Sequence, residues 1–183
     1  MPMNQRGFTL LEMLIALAIS SVLMLGIARF LPALQMNNLR TLMAFQLHEE
    51  LRLMMNSLEK AVRRAGYCAG ECVGEGLTIS TAGGMCLLVR WDENSNGKWE
   101  GTNNENSDYY GYRLRNGNLE TQRGVSSCES AGWEKLNDPA SVAISAFQIT
   151  RADRQIRLLL SGYATAFPDV PLTLESWITA GNL

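Results

Sequence analysis

Apolar residues dominate the N-terminal part of the chain. From Met13 to Ala28 the only polar residues are two serines, and the apolar run reaches Leu31. This run is slightly shorter than the ~20 residues that span a bilayer. The residues just before it and a snorkelling Arg29 supply the missing length. The pattern therefore predicts a single membrane-crossing helix over residues 8–31.

A second helical pattern follows Pro32, which is expected to bend a helix that continues through it. Apolar residues recur at helical spacing as far as Ala65, and from Leu47 onward the steps alternate between four and three residues. Charged residues occupy the opposite face, and Gly66 marks the end of the pattern. These features predict an amphipathic helix over residues 32–66, with one face packed on the rest of the protein.

From Tyr67 the pattern changes to short strands and turns. Arg115 to Asn118 contains Asn-Gly, which suits a two-residue hairpin turn, and Asp153-Arg154 suggests a second hairpin. Strands in series without intervening helices predict an antiparallel sheet. The predicted strands are residues 76–80, 85–91, 109–115, 118–122, 142–151, 155–166 and 172–179. The sequence thus predicts an α+β fold, with a long N-terminal helix packed on a β-rich head over residues 67–183.

The segment before the apolar run has an unusual order, Gln-Arg-Gly-Phe-Thr-Leu-Leu-Glu, which ends at Glu12. A carboxylate in hydrocarbon costs about 2.5–3.5 kcal/mol and is retained mostly where it finds a partner. If the chain is cut before Phe8, the new ammonium of one subunit can meet Glu12 of its neighbour. The alternative is an ordinary uncleaved signal anchor in which Glu12 snorkels to the interface. A secretory signal peptide is not expected, because the leader is too short and no small-residue cleavage site follows the apolar run.

This segment resembles the class III signal of type IV prepilins and type II secretion pseudopilins. The resemblance implies that a prepilin peptidase of the inner membrane removes residues 1–7, cuts between Gly7 and Phe8, and N-methylates Phe8. It also implies that Glu12 is the acid used in assembly and that the fold is pilin-like. The helix exit at residues 65–68 and the loop at residues 91–97 are similar to those of the enterobacterial prepilin peptidase-dependent branch of minor pilins, the W/J kind.

The resemblance implies a structural role in a small tip complex that primes assembly of a type IV pilus or a type II secretion pseudopilus. The implied partners are the prepilin peptidase, other minor pilins, the major pilin and the inner membrane. The head is expected in the periplasm and later at the pilus or pseudopilus tip. Glu12 argues against the K-type pseudopilin, which typically lacks this acid. The choice between pilus, secretion and competence systems stays open.

Composition narrows the functional classes further. The 183 residues support one modest domain beyond the membrane segment. A net charge of −2 and a pI near 5.5 give no basic footprint for nucleic acid. The only histidine, His48, has no catalytic partners around it, so no enzyme is predicted. The rival from another class is an enzymatic or calcium-binding periplasmic domain on an uncleaved anchor.

Four cysteines fall in the predicted periplasmic head, where disulfides persist: Cys68, Cys72, Cys86 and Cys128. An even number favours two bridges, and three pairings are possible. The preferred pairing joins Cys68 to Cys72 across the helix exit, and Cys86 to Cys128 across a long loop. A zinc site is the competing interpretation, but there is no Cys-x-x-Cys pair and the histidine lies on the helix.

The loop after residue 91 contains Asp-x-Asn-x-Asn-Gly, the first half of a calcium loop. Its oxygen ligands would come from the side chains of Asp92, Asn94 and Asn96 and from the carbonyl of Lys98. Position 12 is an asparagine instead of a bidentate glutamate, so Glu100, Glu105 or Asp108 would have to close the site. The expectation is weak Ca²⁺ binding and no required cofactor. The alternative is an Asx-rich loop that satisfies its own backbone.

Overall fold

The structure is a computed structural model of the chain, and it describes residues 8–81 and 85–183. Gly7, the residue before the predicted cut, lies outside the described residues. The chain divides into two compact units, Met1–Leu42 and Met43–Leu183. One helix runs through the boundary between them.

Helix α1 extends over Leu10–Arg64 and has 55 residues, so the two helical patterns form one element that includes Pro32. In the first unit its apolar side chains are exposed, and this part is long and apolar enough to cross a membrane. In the second unit the predicted stripe from Leu47 to Val62 is buried. The buried stripe confirms the packing pattern that the sequence predicted.

Over the part of the chain that the structure describes, eight antiparallel strands follow, and they form two sheets instead of one. The five-stranded sheet has the order β1 to β5, with β1 Leu77–Ser80, β2 Cys86–Arg90, β3 Tyr109–Arg115, β4 Asn118–Arg123 and β5 Glu134–Lys135. The three-stranded sheet has β6 Val142–Ala152, β7 Gln155–Ala164 and β8 Phe167–Thr179. The sequence did not predict β5, because its two residues are too few to show an alternating pattern.

The hairpin turns adopt the backbone that their residues favour. Asn116 and Gly117 both have positive φ, 49° and 74°, as a type I′ turn requires. Asp153 has a φ of 54° in the turn between β6 and β7. The amide of Ile144 donates to the carbonyl of Gly117 at 2.8 Å, which joins β6 to the first hairpin.

The core of the second unit lies between α1 and the sheets. Leu51, Leu58 and Val62 are fully buried against strand residues such as Leu87 and Leu158. Burial of each large aliphatic side chain contributes about 1.5–3 kcal/mol. This packing fixes the C-terminal part of α1 to the head and determines where the loops at its end can lie.

Gly66 lies just after the end of α1 and has a φ of +83°. Its amide donates to the carbonyl of Arg90 at 2.8 Å, so the helix exit is tied to the end of β2. A Cβ at this position would collide with the carbonyl oxygen of Asn182. The helix exit, the end of β2 and the C-terminal residues therefore meet at one point.

Candidate functional site: the N-terminal motif, the disulfides and an acidic loop

Thr9 and Glu12 form a reciprocal pair at the start of α1. The Glu12 carboxylate accepts from the amide and the hydroxyl of Thr9, both at 2.9 Å to Oε2, and the Glu12 amide donates to Thr9 Oγ1 at 3.3 Å. This is a capping box, which satisfies two of the free amides at a helix start. The Thr-x-x-Glu spacing was readable in the sequence, but sequence reasoning missed this role of Glu12.

The capping box bears on whether Glu12 needs a partner from a neighbouring subunit. Its carboxylate has partners in its own chain, so a neighbouring subunit is not needed to satisfy its hydrogen bonds. A carboxylate has about four acceptor sites, however, and both contacts from Thr9 go to Oε2. Glu12 can therefore cap α1 and also receive a cation. Phe8 is 85% exposed and directly precedes the cap.

The structure pairs the four cysteines as the sequence favoured. Cys68 and Cys72, with Cα atoms 6.1 Å apart, close a short loop directly after α1. Cys86 and Cys128, with Cα atoms 6.2 Å apart, join β2 to the segment after β4. With all four cysteines in bridges, no thiolate is left to bind zinc.

Arg113 holds the segment that carries Cys128. Its Nε donates to Glu120 Oε2 at 2.8 Å, and its Nη1 donates to the carbonyl of Cys128. The guanidinium also lies over the Trp133 ring, 4.3 Å from the centroid. Arg113 is 8% exposed, so this set of contacts fixes the segment on the sheet. Sequence reasoning missed Arg113: the register of the first hairpin places Glu120 opposite it, but no local spacing indicates the contact with the Cys128 segment.

Asp92 anchors the β2–β3 loop, residues 91–108. Its Oδ2 accepts from the amides of Ala69 at 3.0 Å and Gly97 at 2.8 Å, and its Oδ1 accepts from the amide of Asn96 at 3.0 Å. Burial alone would raise the pKa of Asp92, but these amides outweigh it and hold the pKa below its ordinary value. Asp92 thereby connects the loop to the helix exit.

The other predicted calcium ligands also serve the backbone of the β2–β3 loop. Asn94 Oδ1 accepts from the Asn96 amide at 3.1 Å, and Asn96 Oδ1 accepts from the Lys98 amide at 3.2 Å. Gly97 takes the positive φ that such a turn requires. These contacts are those of an Asx-rich turn, the alternative interpretation. Among the described residues no group of three His, Cys, Asp or Glu side chains is placed to hold a metal.

Glu100 and Asp108, named here the acidic pair, lie together at the base of the same loop. Asp108 is fully buried, and its Oδ1 and Oδ2 accept from the amides of Glu93 at 3.1 Å and Glu100 at 3.0 Å. Burial and the adjacent Glu100 carboxyl raise the pKa of Asp108. Hydrogen bonds from Asp108 and Asn96 lower the pKa of Glu100. Two buried acids in contact are an unusual feature that the sequence pattern did not reveal.

Aromatic residues support this loop from the sheet. Trp91 stacks on Tyr110 with centroids 3.8 Å apart and planes 5° from parallel. Tyr110 donates its hydroxyl to Glu93 Oε2 at 2.8 Å, and Arg123 binds the same oxygen at 2.8 Å. Burial and the hydrogen bond to Glu93 raise the pKa of Tyr110. The loop is therefore held in place by packing as well as by its own turns.

His48 is exposed on α1, with Nδ1 3.9 Å from Glu49 Oε1. This contact is an ordinary surface neighbour and provides no nucleophile for a catalytic set.

Comparison with known proteins identifies two matching families. Residues 2–28 match the prokaryotic N-terminal methylation motif, and residues 40–180 match the family described as prepilin peptidase-dependent protein B. The chain is 49% identical over 153 residues to prepilin peptidase-dependent protein B of Escherichia coli (strain K12), which covers 84% of this chain and 81% of the relative. No solved structure matches. The chain is a pilin-like protein with a prepilin-type methylation motif, and it belongs to the family of prepilin peptidase-dependent protein B.

Proposed function

We propose that this protein is a minor pilin that joins a tip complex and primes assembly of a type IV pilus or a type II secretion pseudopilus. The family membership and the methylation motif support a pilin-like role. An exposed apolar helix followed by a compact head suits a subunit that moves from a membrane into a filament. The proposed role is structural and involves no catalysis.

Maturation is the first step of this proposal. The prepilin peptidase cuts between Gly7 and Phe8 and methylates the new amine of Phe8. The match to the methylation motif over residues 2–28 supports the cut, as does the peptidase dependence that the name of the relative states. Phe8 is exposed and lies outside the helix, which begins at Leu10, so the residue after the proposed cut is accessible.

Assembly is the second step, and the position of the Glu12 carboxylate is the observation that supports it. The capping box holds the Glu12 carboxylate back toward Thr9, on the side of α1 where cleavage creates the new ammonium. In hydrocarbon, a carboxylate is stabilised most by a cation. We propose that the Phe8 ammonium of a neighbouring subunit binds Glu12 and sets the register between the two chains.

The proposed location rests on the N-terminal segment and on the disulfides of the head. The apolar segment and the methylation motif fit an inner-membrane anchor. The head is proposed to lie in the periplasm, and two disulfides support this because such bonds persist in oxidising compartments.

Two substitutions separate the capping role of Glu12 from its charge. Glu12→Gln keeps a capping box, since glutamine serves equally at this position, but removes the charge. Thr9→Ala keeps the charge and removes the cap, at about 1 kcal/mol. Each variant is expressed with the prepilin peptidase and partner minor pilins, and cleavage is confirmed by mass. Co-purification from membranes and surface pilus yield are then measured.

We expect Glu12→Gln to be cleaved and folded but to lose co-purification and pilus yield, while Thr9→Ala retains most of both. Wild-type recovery for Glu12→Gln would show that the charge is not the assembly contact. A larger loss for Thr9→Ala would assign Glu12 to capping alone. Failure of Glu12→Gln to be cleaved would instead place its role with the peptidase.

The rival function, a binding or enzymatic domain on an uncleaved anchor, differs in one simple observation. The mass of a protein with an uncleaved anchor would not change when a prepilin peptidase is coexpressed. Deletion of the gene distinguishes the type IV pilus from the type II secretion pseudopilus, because loss of pili and loss of type II secretion are scored independently.

A further inference from the structure

Strand β8 forms one edge of the three-stranded sheet and pairs only with β7. The amide of Ala180 donates to the carbonyl of Arg154 at 2.8 Å, and in the same register Ile178 lies opposite Ile156. Backbone bonds alternate along an antiparallel pair. The even-numbered residues of β8 therefore bond to β7, whereas the odd-numbered residues point their amides and carbonyls away from the sheet.

We name residues 172–179 of β8 the open edge. The residues that present unpaired backbone groups there are Thr173, Glu175, Trp177 and Thr179. Outside the sheet ladders, no backbone bond within residues 8–81 and 85–183 involves these four residues. Such a row of amides and carbonyls is a template on which another extended chain can pair.

The devices that normally block a sheet edge are present in β8 only before the open edge. Proline, charge and bulges are the usual devices. Pro168, Asp169 and Pro171 lie in the first part of the strand, where the pairing with β7 also shifts register. The edges of the other sheet are short, with four residues in β1 and two in β5. The open edge is therefore the long unblocked edge of the described strands.

The only charged residue of the open edge, Glu175, does not block it. Arg157 of β7 donates from Nε to Glu175 Oε1 at 2.8 Å and from its second terminal nitrogen to Oε2 at 2.9 Å. Both carboxylate oxygens are thus directed to the β7 side, and their charge is neutralised. A strand that fits beside this edge needs no charge of its own.

Trp177 is held in a fixed position on the open edge, although it is 63% exposed. Its Nε1 donates to Glu175 Oε1 at 2.8 Å, and the Arg157 guanidinium lies 5.8 Å from its ring centroid. Tryptophan and arginine are enriched among the residues that dominate binding energy at interfaces. Because Trp177 is already ordered, a partner that covers it loses little conformational entropy.

The direction of α1 argues against a second copy of this chain as the partner. Leu51 lies next to Gly162, which is opposite Leu172 in β8, and further along both elements Ser176 donates to Glu59 at 2.6 Å. Helix α1 therefore runs in the same direction as β8. Two copies paired antiparallel along their open edges would have oppositely directed helices. Chains anchored in one membrane through this helix enter their heads from the same side, so a different polypeptide fits better.

We propose that the open edge binds an extended segment of a partner minor pilin, which adds a strand beside β8. This inference rests on the proposed function and names the surface of the head that the tip complex uses. The added segment is uncharged opposite Glu175 and Trp177. Its apolar residues alternate and lie beside Leu172 and Leu174, which are partly buried against the core. In strand addition, main-chain hydrogen bonds provide affinity and alternate side chains provide specificity.

The test compares Thr173→Pro with Thr173→Ala in the full-length protein. Proline removes an amide that makes no bond to β7, as Pro171 does in the natural chain, so the β7–β8 ladder is kept. Alanine removes the same side chain and keeps the amide. Each variant is coexpressed with the prepilin peptidase and partner minor pilins, and cleavage is confirmed by mass. Co-purification from membranes and Tm are then measured.

We expect Thr173→Pro to lower co-purification about tenfold or more, because it removes one hydrogen bond and places a ring against the added strand. Thr173→Ala should retain it, and both variants should keep the Tm of the wild type within about 3 °C. Trp177→Ala should also lower co-purification. In the wild-type complex, hydrogen exchange should slow at the amides of the four odd-numbered residues relative to the protein alone.

Three results would overturn the inference while the wild type still co-purifies with its partners. They are equal recovery of Thr173→Pro and Thr173→Ala, unchanged exchange at the four amides in the complex, and slowed exchange in the protein alone as its concentration rises, which would assign the open edge to a second copy. Failure of the wild type itself to co-purify would instead overturn the proposed function. If Thr173→Pro lowers Tm, the exchange measurement on the wild type decides.

Discussion

Removing the two disulfides separately should destabilise the head by clearly different amounts. A bridge restricts the unfolded chain more when it closes a longer loop. Cys86–Cys128 spans 42 residues and Cys68–Cys72 spans 4. The loop-entropy relation gives about 3.9 kcal/mol for the long bridge and about 1.9 kcal/mol for the short one. At roughly 3–4 °C per kcal/mol for a unit of this size, Tm should fall by about 12–16 °C and 6–8 °C.

The measurement uses paired substitutions, Cys86→Ala with Cys128→Ala and Cys68→Ala with Cys72→Ala, so that no odd thiol remains. All four tryptophans lie in residues 67–183, so near-ultraviolet circular dichroism of the full-length protein in detergent follows the head. Peptide mapping of the wild type establishes the pairing first. Equal losses of Tm in the two variants would refute the loop-length reasoning. Free thiols, or a Cys68–Cys86 peptide, would refute the pairing itself.

Other predictions test maturation, packing and acid stability. Coexpressed prepilin peptidase should remove residues 1–7 and add one methyl group to Phe8, and a bulkier residue in place of Gly7 should abolish the mass change. Leu58→Ala should destabilise the head by about 2–5 kcal/mol in urea unfolding, whereas Leu53→Ala, on an exposed side chain of the same helix, should change it by less than about 0.5 kcal/mol. The Ala140 amide and the Ser141 hydroxyl lower the pKa of Asp138. Its contribution is therefore present above about pH 4 and is lost as pH falls through the lowered pKa, so Asp138→Asn should flatten the acid side of the Tm profile.

Local patterns in the sequence predicted most of the fold. The apolar run, the stripe from Leu47 and the alternation in the strands are set by burial of one face, so they can be read without the structure. Asn116-Gly117 fixed the first hairpin, because few residue pairs accept positive φ at both positions. The division into two sheets was not predicted, since each strand pairs with its neighbour in sequence except at β5 and β6, and no local pattern marks that break.

The candidate functional residues divide in the same way. Phe8 and Glu12 were predicted from an ordered motif. The capping role of Thr9 could also have been predicted, because a capping box has fixed spacing. The sequence did not indicate that Glu100 and Asp108 lie together, because they meet through backbone contacts that sequence spacing does not encode. Arg113 was missed for a similar reason, since its contacts combine a neighbouring strand with the segment around Cys128.

The position of the capping box has a consequence for the timing of maturation. Unsatisfied amides are strongly unfavourable in a bilayer, so a helix whose first turn depended on its leader would unravel when the leader was removed. Here Thr9 and Glu12 lie on the retained side of the proposed cut, and together they close the first turn. Cleavage can therefore shorten the chain without any rearrangement of α1. In the proposed pathway, the anchor would leave the peptidase already in the conformation in which a neighbouring subunit receives it.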